Sequence, residues 1–203
     1  MKKTLYFCIF VLVAACALSF LPSCEEMSIY DGVIRLHVLA NSDSEEDQAL
    51  KLYVRDSILS TVGEIVEGAE TKSEAEAAIS SSLDAIRASA SNAVREYSAD
   101  SPVSVTLSEE KYPRRSYGAV ILPSGTYTSL RVMIGEAEGA NWWCVLFPDI
   151  CTSPAVKNER ETKDEFIEAG FTPSQYRLIT DTNETRYVIK LRIVEIFESL
   201  FGR

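Results

Sequence analysis

The chain has 203 residues and a formal net charge of −10, from 20 basic and 30 acidic side chains. This balance argues against nucleic acid as a partner, because phosphate binding needs clustered lysine and arginine. It argues equally against an anionic membrane surface as the main docking site.

The N-terminal segment has the pattern of a secretory signal. A Met-Lys-Lys start precedes residues 4–21, which contain no charged side chain, as in signal peptides. The run also approaches the roughly 18–20 apolar residues that cross a bilayer, so a retained anchor is an alternative. We therefore predict three regions: a signal peptide or N-terminal membrane anchor over 1–24, a linker over 25–32, and a single extracytoplasmic domain over 33–203.

The five cysteines divide between the signal and the domain. Cys16 and Cys24 end short runs that resemble a bacterial lipoprotein box, so lipidation at either is an alternative to cleavage after Ala17. Only Cys144 and Cys151 belong to the domain. In an oxidising compartment two such cysteines are predicted to form a disulfide, and two buried thiols are the alternative.

The domain begins with a strand and a helix. Apolar and polar residues partly alternate over 33–40, which predicts a strand. Ser44 with Asp47 is a capping-box-like start, and apolar residues at three-to-four spacing predict a helix over 44–67 that Gly68 ends. The apolar strand residues predicted to share one face are Ile34, Leu36 and Val38.

Further along, the pattern predicts a second helix and then strands. Ser73 and Glu76 repeat the capping pattern before an amphipathic helix that reaches Tyr97. From residue 102 the period changes to two, which indicates strands. We predict a strand near 103–107, a hairpin of 117–122 with 127–134, a charged helix or loop over 158–169, a second hairpin of 175–180 with 185–191, and a short terminal helix. The fold class is α+β: two amphipathic helices packed on a mainly antiparallel sheet, after an N-terminal signal segment.

The sequence contains little catalytic or metal-binding chemistry. His37 is the only histidine, which excludes a histidine-rich metal site, and two domain cysteines cannot complete a structural zinc site. A Cys144–His37 dyad is one catalytic alternative. Paired acids at Glu136 and Glu138 are another, as in glycoside hydrolases, although a polar loop in an acidic protein is the favoured explanation. We predict no cofactor, no metal and no small-molecule substrate.

The most unusual run surrounds two adjacent tryptophans, in the sequence Asn141-Trp142-Trp143-Cys144. Neighbouring side chains point in different directions, so we expect one tryptophan in the core. The other is a candidate anchor for a partner, because tryptophan dominates binding hot spots. Burial of both is the alternative.

Several ordered motifs resemble the stage II sporulation protein R family. The first is Ile-Arg-Leu-His-Val-Leu-Ala-Asn-Ser-Asp-Ser at 34–44, which continues through Arg55 and Asp56. The most distinctive block is Gly-Ala-Asn-Trp-Trp-Cys-Val-Leu-Phe-Pro at 139–148, with Cys151 beyond it. The similarity extends over residues 33 to about 151 and is weak after that point.

The resemblance implies a signalling protein that is not itself an enzyme. Members of this family are made in the forespore of endospore-forming bacteria and exported into the space between forespore and mother cell. There they trigger a membrane-embedded aspartic protease, which removes the pro-segment from the precursor of sigma-E. A secreted cell-wall hydrolase using Glu136 or Glu138, and a lipidated structural envelope protein, are the alternative functions.

The motif residues are candidates for structure and partner recognition together. For Asn41 and Asp43, turn and helix-cap chemistry is the simpler role. The candidates are Arg35, Asn41, Asp43, Asp47, Arg55, Asp56, Asn141, Trp142 and Trp143.

Overall fold

The computed structural model describes residues 3–4, 6–7, 9–11, 13, 29–97, 100–117, 120–148 and 159–180. The chain divides into two compact units, one of residues 29–181 and one of residues 1–28 with 182–203. In the second of these units the described residues are helical, and Phe7 and Phe10 are exposed.

The predictions for the N-terminal segment fall mainly outside the described residues. Most of residues 1–24, including Cys16 and Cys24, and residues 25–28 of the linker lie outside the described residues, so the signal or anchor over 1–24, the linker over 25–32 and lipidation at Cys16 or Cys24 stay predictions. Residues 181–203 at the end of the predicted domain lie outside the described residues, and its bounds of 33–203 stay a prediction. Among the residues that the structure describes, no helix has the length and hydropathy needed to span a bilayer.

Residues 29–181 form an α+β domain, as predicted. The elements in chain order are β1 (Ile34–Leu39), α1 (Glu45–Val66), α2 (Lys72–Ser81), α3 (Leu83–Glu96), β2 (Val103–Tyr112), β3 (Arg115–Tyr117), β4 (Val120–Leu122), β5 (Gly125–Ile134), β6 (Asn141–Phe147), α4 (Glu159–Glu168) and α5 (Pro173–Thr180). Four strands form one sheet in the order β2-β5-β1-β6, in which only β1 and β5 run parallel. Strands β3 and β4 pair separately.

The four-stranded sheet has a hydrophobic core on each face. Successive residues of a strand point to opposite faces, so Leu36 and Val38 point to one side and Arg35 and His37 to the other. We call the side packed against α1, α2 and α3 the helix face, and the opposite side the hairpin face. The helix-face core includes Leu36, Val38, Leu50, Val54, Ile58, Ile79, Ile86, Leu130, Val132 and Leu146. The hairpin-face core includes Ile29, Tyr112, Val120, Leu122, Tyr127, Val145, Phe166, Phe171, Tyr176 and Ile179.

Helix α1 matches its prediction because its signals are local. The hydroxyl oxygen of Ser44 accepts a hydrogen bond from the backbone N–H of Asp47 at 3.1 Å, which caps the first turn. The residues predicted to form the apolar stripe are buried against the sheet, which gives the helix most of its stability. These buried positions are Leu50, Val54, Ile58 and Val62.

The second predicted helix is wrong in two details. It begins with a cap at Thr71, whose hydroxyl accepts from the backbone N–H of Glu74 at 3.3 Å, and not at Ser73. It also breaks at Ser82, which separates α2 from α3. The side chain of Ser81 bonds to the carbonyl of Ala78 at 2.9 Å, and such side-chain bonds compete with regular helix geometry.

The predicted pairing of the strands is also wrong. Strand β5 pairs with β2, from Val103 opposite Ile134 to Tyr112 opposite Gly125. The run predicted to be a single strand at 117–122 contributes instead to a small hairpin of β3 with β4, inserted between β2 and β5. Periodicity identifies a strand, but it does not identify the strand's partner.

The last described helix replaces a predicted strand. Residues 175–180 lie in α5 and not in a hairpin, and 185–191, with the predicted terminal helix, lie outside the described residues. Thr172 and Gln175 form a reciprocal capping box at 3.2 and 2.6 Å, and Pro173 occupies the first helical position. These are helix-start signals that outweigh the β-type pattern. The predicted helix or loop over 158–169 is helix α4.

Candidate partner-binding site

Three of the motif residues join the turn between β1 and α1 to the loop between β5 and β6. The side-chain oxygen of Asn41 accepts from the backbone N–H of Glu136 at 2.9 Å, and its amide nitrogen donates to Asp47 at 3.0 Å. Asp43 accepts from the backbone N–H of Ala140 at 2.6 Å. We call this set of contacts the turn clamp. It gives Asn41, Asp43 and Asp47 a structural role, and partner binding by them stays a prediction.

Lys51 completes the turn clamp, although no sequence signal pointed to it. Its side chain is only 5% exposed on α1. The ammonium group donates to the carbonyl of Ala140 at 2.8 Å and to the side chain of Gln48 at 2.6 Å. Burial lowers the pKa of Lys51, and the nearby charge of Asp43 opposes that effect.

Asp47 should make the domain sensitive to acid. Hydrogen bonds from Ser42 above all, and from Asn41, lower the pKa of Asp47 below its usual 3.8. A carboxyl whose pKa is lower in the folded state contributes stability above its unfolded pKa and loses it as pH falls through the folded value. We expect Asp47→Asn to reduce stability at pH 7 and to flatten the loss of stability below about pH 4.

Urea unfolding between pH 2.5 and 7 measures this effect, because the linkage appears as the pH dependence of the free energy of unfolding. The matched control is Asp84→Asn, an exposed aspartate in the first turn of α3. If the Asp47→Asn and wild-type profiles run parallel, the turn clamp does not hold the carboxylate as described.

The two tryptophans lie on β6, which forms one edge of the four-stranded sheet, and they point to opposite faces. Trp142 belongs to the helix face, where the guanidinium carbon of Arg55 lies 5.0 Å from its ring centre. Trp143 belongs to the hairpin face, where Arg115 lies 4.0 Å from its ring centre. Each ring is partly buried, so the expectation of one core and one exposed tryptophan is replaced by two rings that each contact an arginine.

The contact between Arg55 and Trp142 gives a structural role to two further motif residues, Arg55 and Asp56. Arg55 bonds through Nε to the carboxylate of Asp56 at 2.7 Å while its guanidinium contacts Trp142. Asp56 therefore orients the arginine; Asp56 is exposed and Arg55 is partly buried. An exposed ion pair contributes at most about 1 kcal/mol to stability.

Arg35 is buried in a box of three tyrosines. Its guanidinium carbon lies 3.9 Å from the ring centre of Tyr112, 4.9 Å from that of Tyr127 and 5.5 Å from that of Tyr117. Nη2 donates to the hydroxyl of Tyr117, whereas Nε and Nη1 have no hydrogen-bond partner among the described residues. Burial raises the pKa of all three tyrosines. They therefore stay neutral, and ring faces rather than a phenolate surround the cation.

His37 lies in a polar network beside the tyrosine box. Its Nδ1 is 2.8 Å from Glu110 Oε1, and its Nε2 is 2.8 Å from the side-chain oxygen of Asn141. The hydroxyl of Ser129 donates to Glu110 Oε2 at 3.0 Å and contacts the hydroxyl of Tyr112. Ser129 is fully buried and contacts Glu110 rather than His37. This chain of contacts therefore places no nucleophile next to the histidine.

The Cys144–His37 dyad is ruled out by the sheet itself. Cys144 pairs in register with Leu36 and belongs to the helix-face core, whereas His37 pairs with Trp143 on the hairpin face. The sheet therefore separates the two side chains. Glu136 and Glu138 are exposed in the loop before β6. Within the described ranges, no group of three or more His, Cys, Asp or Glu side chains is placed to hold a metal ion.

The fold and these contacts define an α+β domain in which the turn clamp holds the β1–α1 turn and two tryptophans each contact an arginine. The family model of stage II sporulation protein R (spore_II_R) matches residues 30–157, which include β1 to β6. Stage II sporulation protein R of Bacillus subtilis (strain 168) is 36% identical over 179 residues, which cover 84% of this chain and 80% of that protein. No solved structure matches the chain. The chain belongs to the stage II sporulation protein R family, which confirms the resemblance.

Proposed function

We propose that this chain is an exported signal of endospore formation. It is made in the forespore, crosses into the space between forespore and mother cell, and activates a membrane-embedded aspartic protease there. The protease then removes the pro-segment from the sigma-E precursor. The observation that carries this proposal is family membership, with 36% identity over 84% of the chain. The signal-like pattern of residues 1–24 supports export, and the family's name is that of a sporulation protein and not of an enzyme.

Deleting residues 2–24 tests the requirement for export. In a sporulating strain that lacks its own copy, we expect the full chain to restore processing of the sigma-E precursor and the truncated chain to fail. Attaching an unrelated cleavable signal peptide to the truncated chain is the control, and it should restore processing. Undiminished processing by the cytoplasmic form would sink the proposal.

Mass spectrometry of the mature N-terminus separates the fates of the segment. Cleavage after Ala17, a lipid on Cys16 or Cys24, and a retained anchor each give a different mass. A lipid on either cysteine would mean that the domain is held at the membrane, and it would favour the alternative of a lipidated envelope protein.

Substituting the two loop glutamates tests the hydrolase alternative. Both side chains are exposed, and both residues contact the β1–α1 turn through their backbone N–H groups, which bond to Asn41. We therefore expect Glu136→Gln and Glu138→Gln to leave processing unchanged and stability within about 0.5 kcal/mol. A loss of processing in either variant, in a normally secreted and folded protein, would revive the enzymatic reading.

A disulfide between Cys144 and Cys151 is a further part of the proposal. Cys144 is 4% exposed on β6, and Cys151 lies outside the described residues. Closing so short a loop is expected to add about 2–3 kcal/mol of stability on the chain-entropy account. Alkylation of the secreted protein after unfolding in denaturant and without reduction, followed by mass spectrometry, should find neither cysteine modified. Modification of both would refute the disulfide.

A further inference from the structure

One row of side chains crosses all four strands on the hairpin face. Thr106 of β2, Arg131 of β5, His37 of β1 and Trp143 of β6 are consecutive partners in the strand register. Neighbouring strands lie about 4.8 Å apart, so Arg131 and Trp143 are separated by about 10 Å. Arg115 of β3 lies over Trp143. We call Arg131, His37, Trp143 and Arg115 the arginine–tryptophan row.

This row reaches solvent. Arg115 is exposed, and Arg131 and Trp143 are partly exposed. The hairpin-face core includes buried residues of β4, α4 and α5, and Trp143 packs partly buried against it. Tryptophan and arginine are among the residues most enriched at binding hot spots of protein interfaces.

The row is locally cationic in an acidic protein. The chain carries a net charge of −10, yet among the described residues neither Arg115 nor Arg131 has a carboxylate within 4.0 Å. The acid beside the row is Glu110, and its two oxygens already contact His37 and Ser129. In addition, Nε of Arg131 is buried and has no hydrogen-bond partner among the described residues.

We propose that the arginine–tryptophan row binds an acidic, extended segment of the partner protein, a proposal that rests on the function proposed above. Carboxylates of that segment pair with Arg115 and Arg131, since guanidinium groups bind carboxylates through two parallel hydrogen bonds. An apolar side chain beside these carboxylates packs on the exposed part of Trp143. Acids two to four positions apart in an extended chain are about 7–13 Å apart, which brackets the length of the row.

The chain offers a closely matched pair of variants. Arg114 and Arg115 are adjacent and exposed, and of the two only Arg115 lies over Trp143. In sporulating cells with equal amounts of secreted protein, we expect Arg115→Gln combined with Arg131→Gln to slow processing of the sigma-E precursor by tenfold or more. Arg114→Gln should change the rate by less than about twofold, because an exposed charge outside the contact contributes little. The charge-retaining variant Arg115→Lys combined with Arg131→Lys should recover part of the rate.

Photo-crosslinking identifies the occupant of the row. With a photo-reactive amino acid at position 115, we expect capture of a partner protein at a segment rich in Asp and Glu, mapped by peptide mass. The same probe at Arg87, an exposed residue on α3, is the control and should not capture that segment. A crosslink to this chain's own residues 182–203, a crosslinked dimer, or a lipid adduct would each overturn the proposal.

The two proposals fail in different ways. If the chain is not the signal, deleting the whole protein leaves processing of the sigma-E precursor intact. If only the row is wrong, that deletion abolishes processing while the Arg115→Gln and Arg131→Gln variants process at the rate of Arg114→Gln.

Discussion

Replacing Arg35 with alanine is expected to lower the free energy of unfolding by about 4 kcal/mol. The side chain is fully buried in the tyrosine box, and its removal leaves a cavity where the rings of Tyr112, Tyr117 and Tyr127 now contact the guanidinium. Truncation of large buried side chains to alanine costs about 2–5 kcal/mol, and an arginine loses packing of its stem as well as its charge.

Methionine at the same position should cost far less than alanine. A buried guanidinium carries a desolvation penalty of several kcal/mol, to which the unpaired Nε and Nη1 contribute. Against this, a desolvated cation–π contact contributes about 2 kcal/mol and the hydrogen bond to Tyr117 about 1.5–3 kcal/mol. The opposing effects nearly cancel, so Arg35→Met, which keeps most of the volume, should cost about 1 kcal/mol or less.

Urea denaturation of the purified chain at pH 7 compares the two variants. Arg87→Ala is the control for loss of an exposed arginine, and it should lie within about 0.5 kcal/mol of the wild type. If methionine costs as much as alanine, the cation itself and not the volume holds the tyrosine box together. If methionine is tolerated, stability does not explain why an arginine occupies this site.

The parts of the fold that followed from the sequence are those whose signals are local. Ser44 and Asp47 indicate the start of α1 within one turn, and the apolar residues spaced from Leu50 to Val62 define its buried face. The parts that did not follow depend on partners distant in the chain. Strand β5 pairs with β2 and β1, and no pattern within 125–134 indicates either partner. Where two local signals competed, as at Thr172 and Gln175, the capping box outweighed the β-type pattern.

In the candidate site too, local features could be predicted from the sequence, whereas contacts with distant residues could not. The turn chemistry of Asn41 and Asp43 could be predicted from their residue types, because short polar side chains bond to nearby backbone groups. The backbone donors that they bind could not, since Glu136 and Ala140 are more than 90 residues away. For Arg35 the alternation of β1 fixes the face, but its burial depends on the hairpin of β3 and β4. The same tertiary contact places Arg115 over Trp143.

Gly139→Ala should strongly destabilise the loop between β5 and β6. A Cβ atom at this position would lie 2.2 Å from the carbonyl oxygen of Ser42 and 2.5 Å from its carbonyl carbon. That carbonyl is held by the side chain of Gln48 at 2.8 Å, so the backbone of the β1–α1 turn cannot yield without breaking the turn clamp. We expect a loss of about 3 kcal/mol, which is the range for overpacking against a rigid neighbour.

Gly68→Ala is the matched control, because it separates backbone strain from contact. Gly68 ends α1 with a φ of +82°, and an added Cβ would meet nothing within 4 Å. Its cost is therefore the left-handed conformation alone, about 1 kcal/mol. Urea midpoints with unchanged m values measure both losses. A cost at Gly68 equal to or above that at Gly139 would contradict the close approach to Ser42.

A double-mutant cycle with Asp43→Ala connects this clash to the turn clamp. If alanine at 139 displaces the loop, it also breaks the hydrogen bond from the backbone of Ala140 to Asp43. In a chain that already lacks the Asp43 carboxylate, Gly139→Ala has one fewer hydrogen bond to break. The loss of unfolding free energy in the double variant should therefore be smaller than the sum of the losses in the two single variants. Contacting residues typically couple by about 0.5–3 kcal/mol, and additive losses would mean that the loop absorbs the methyl group without moving away from Asp43.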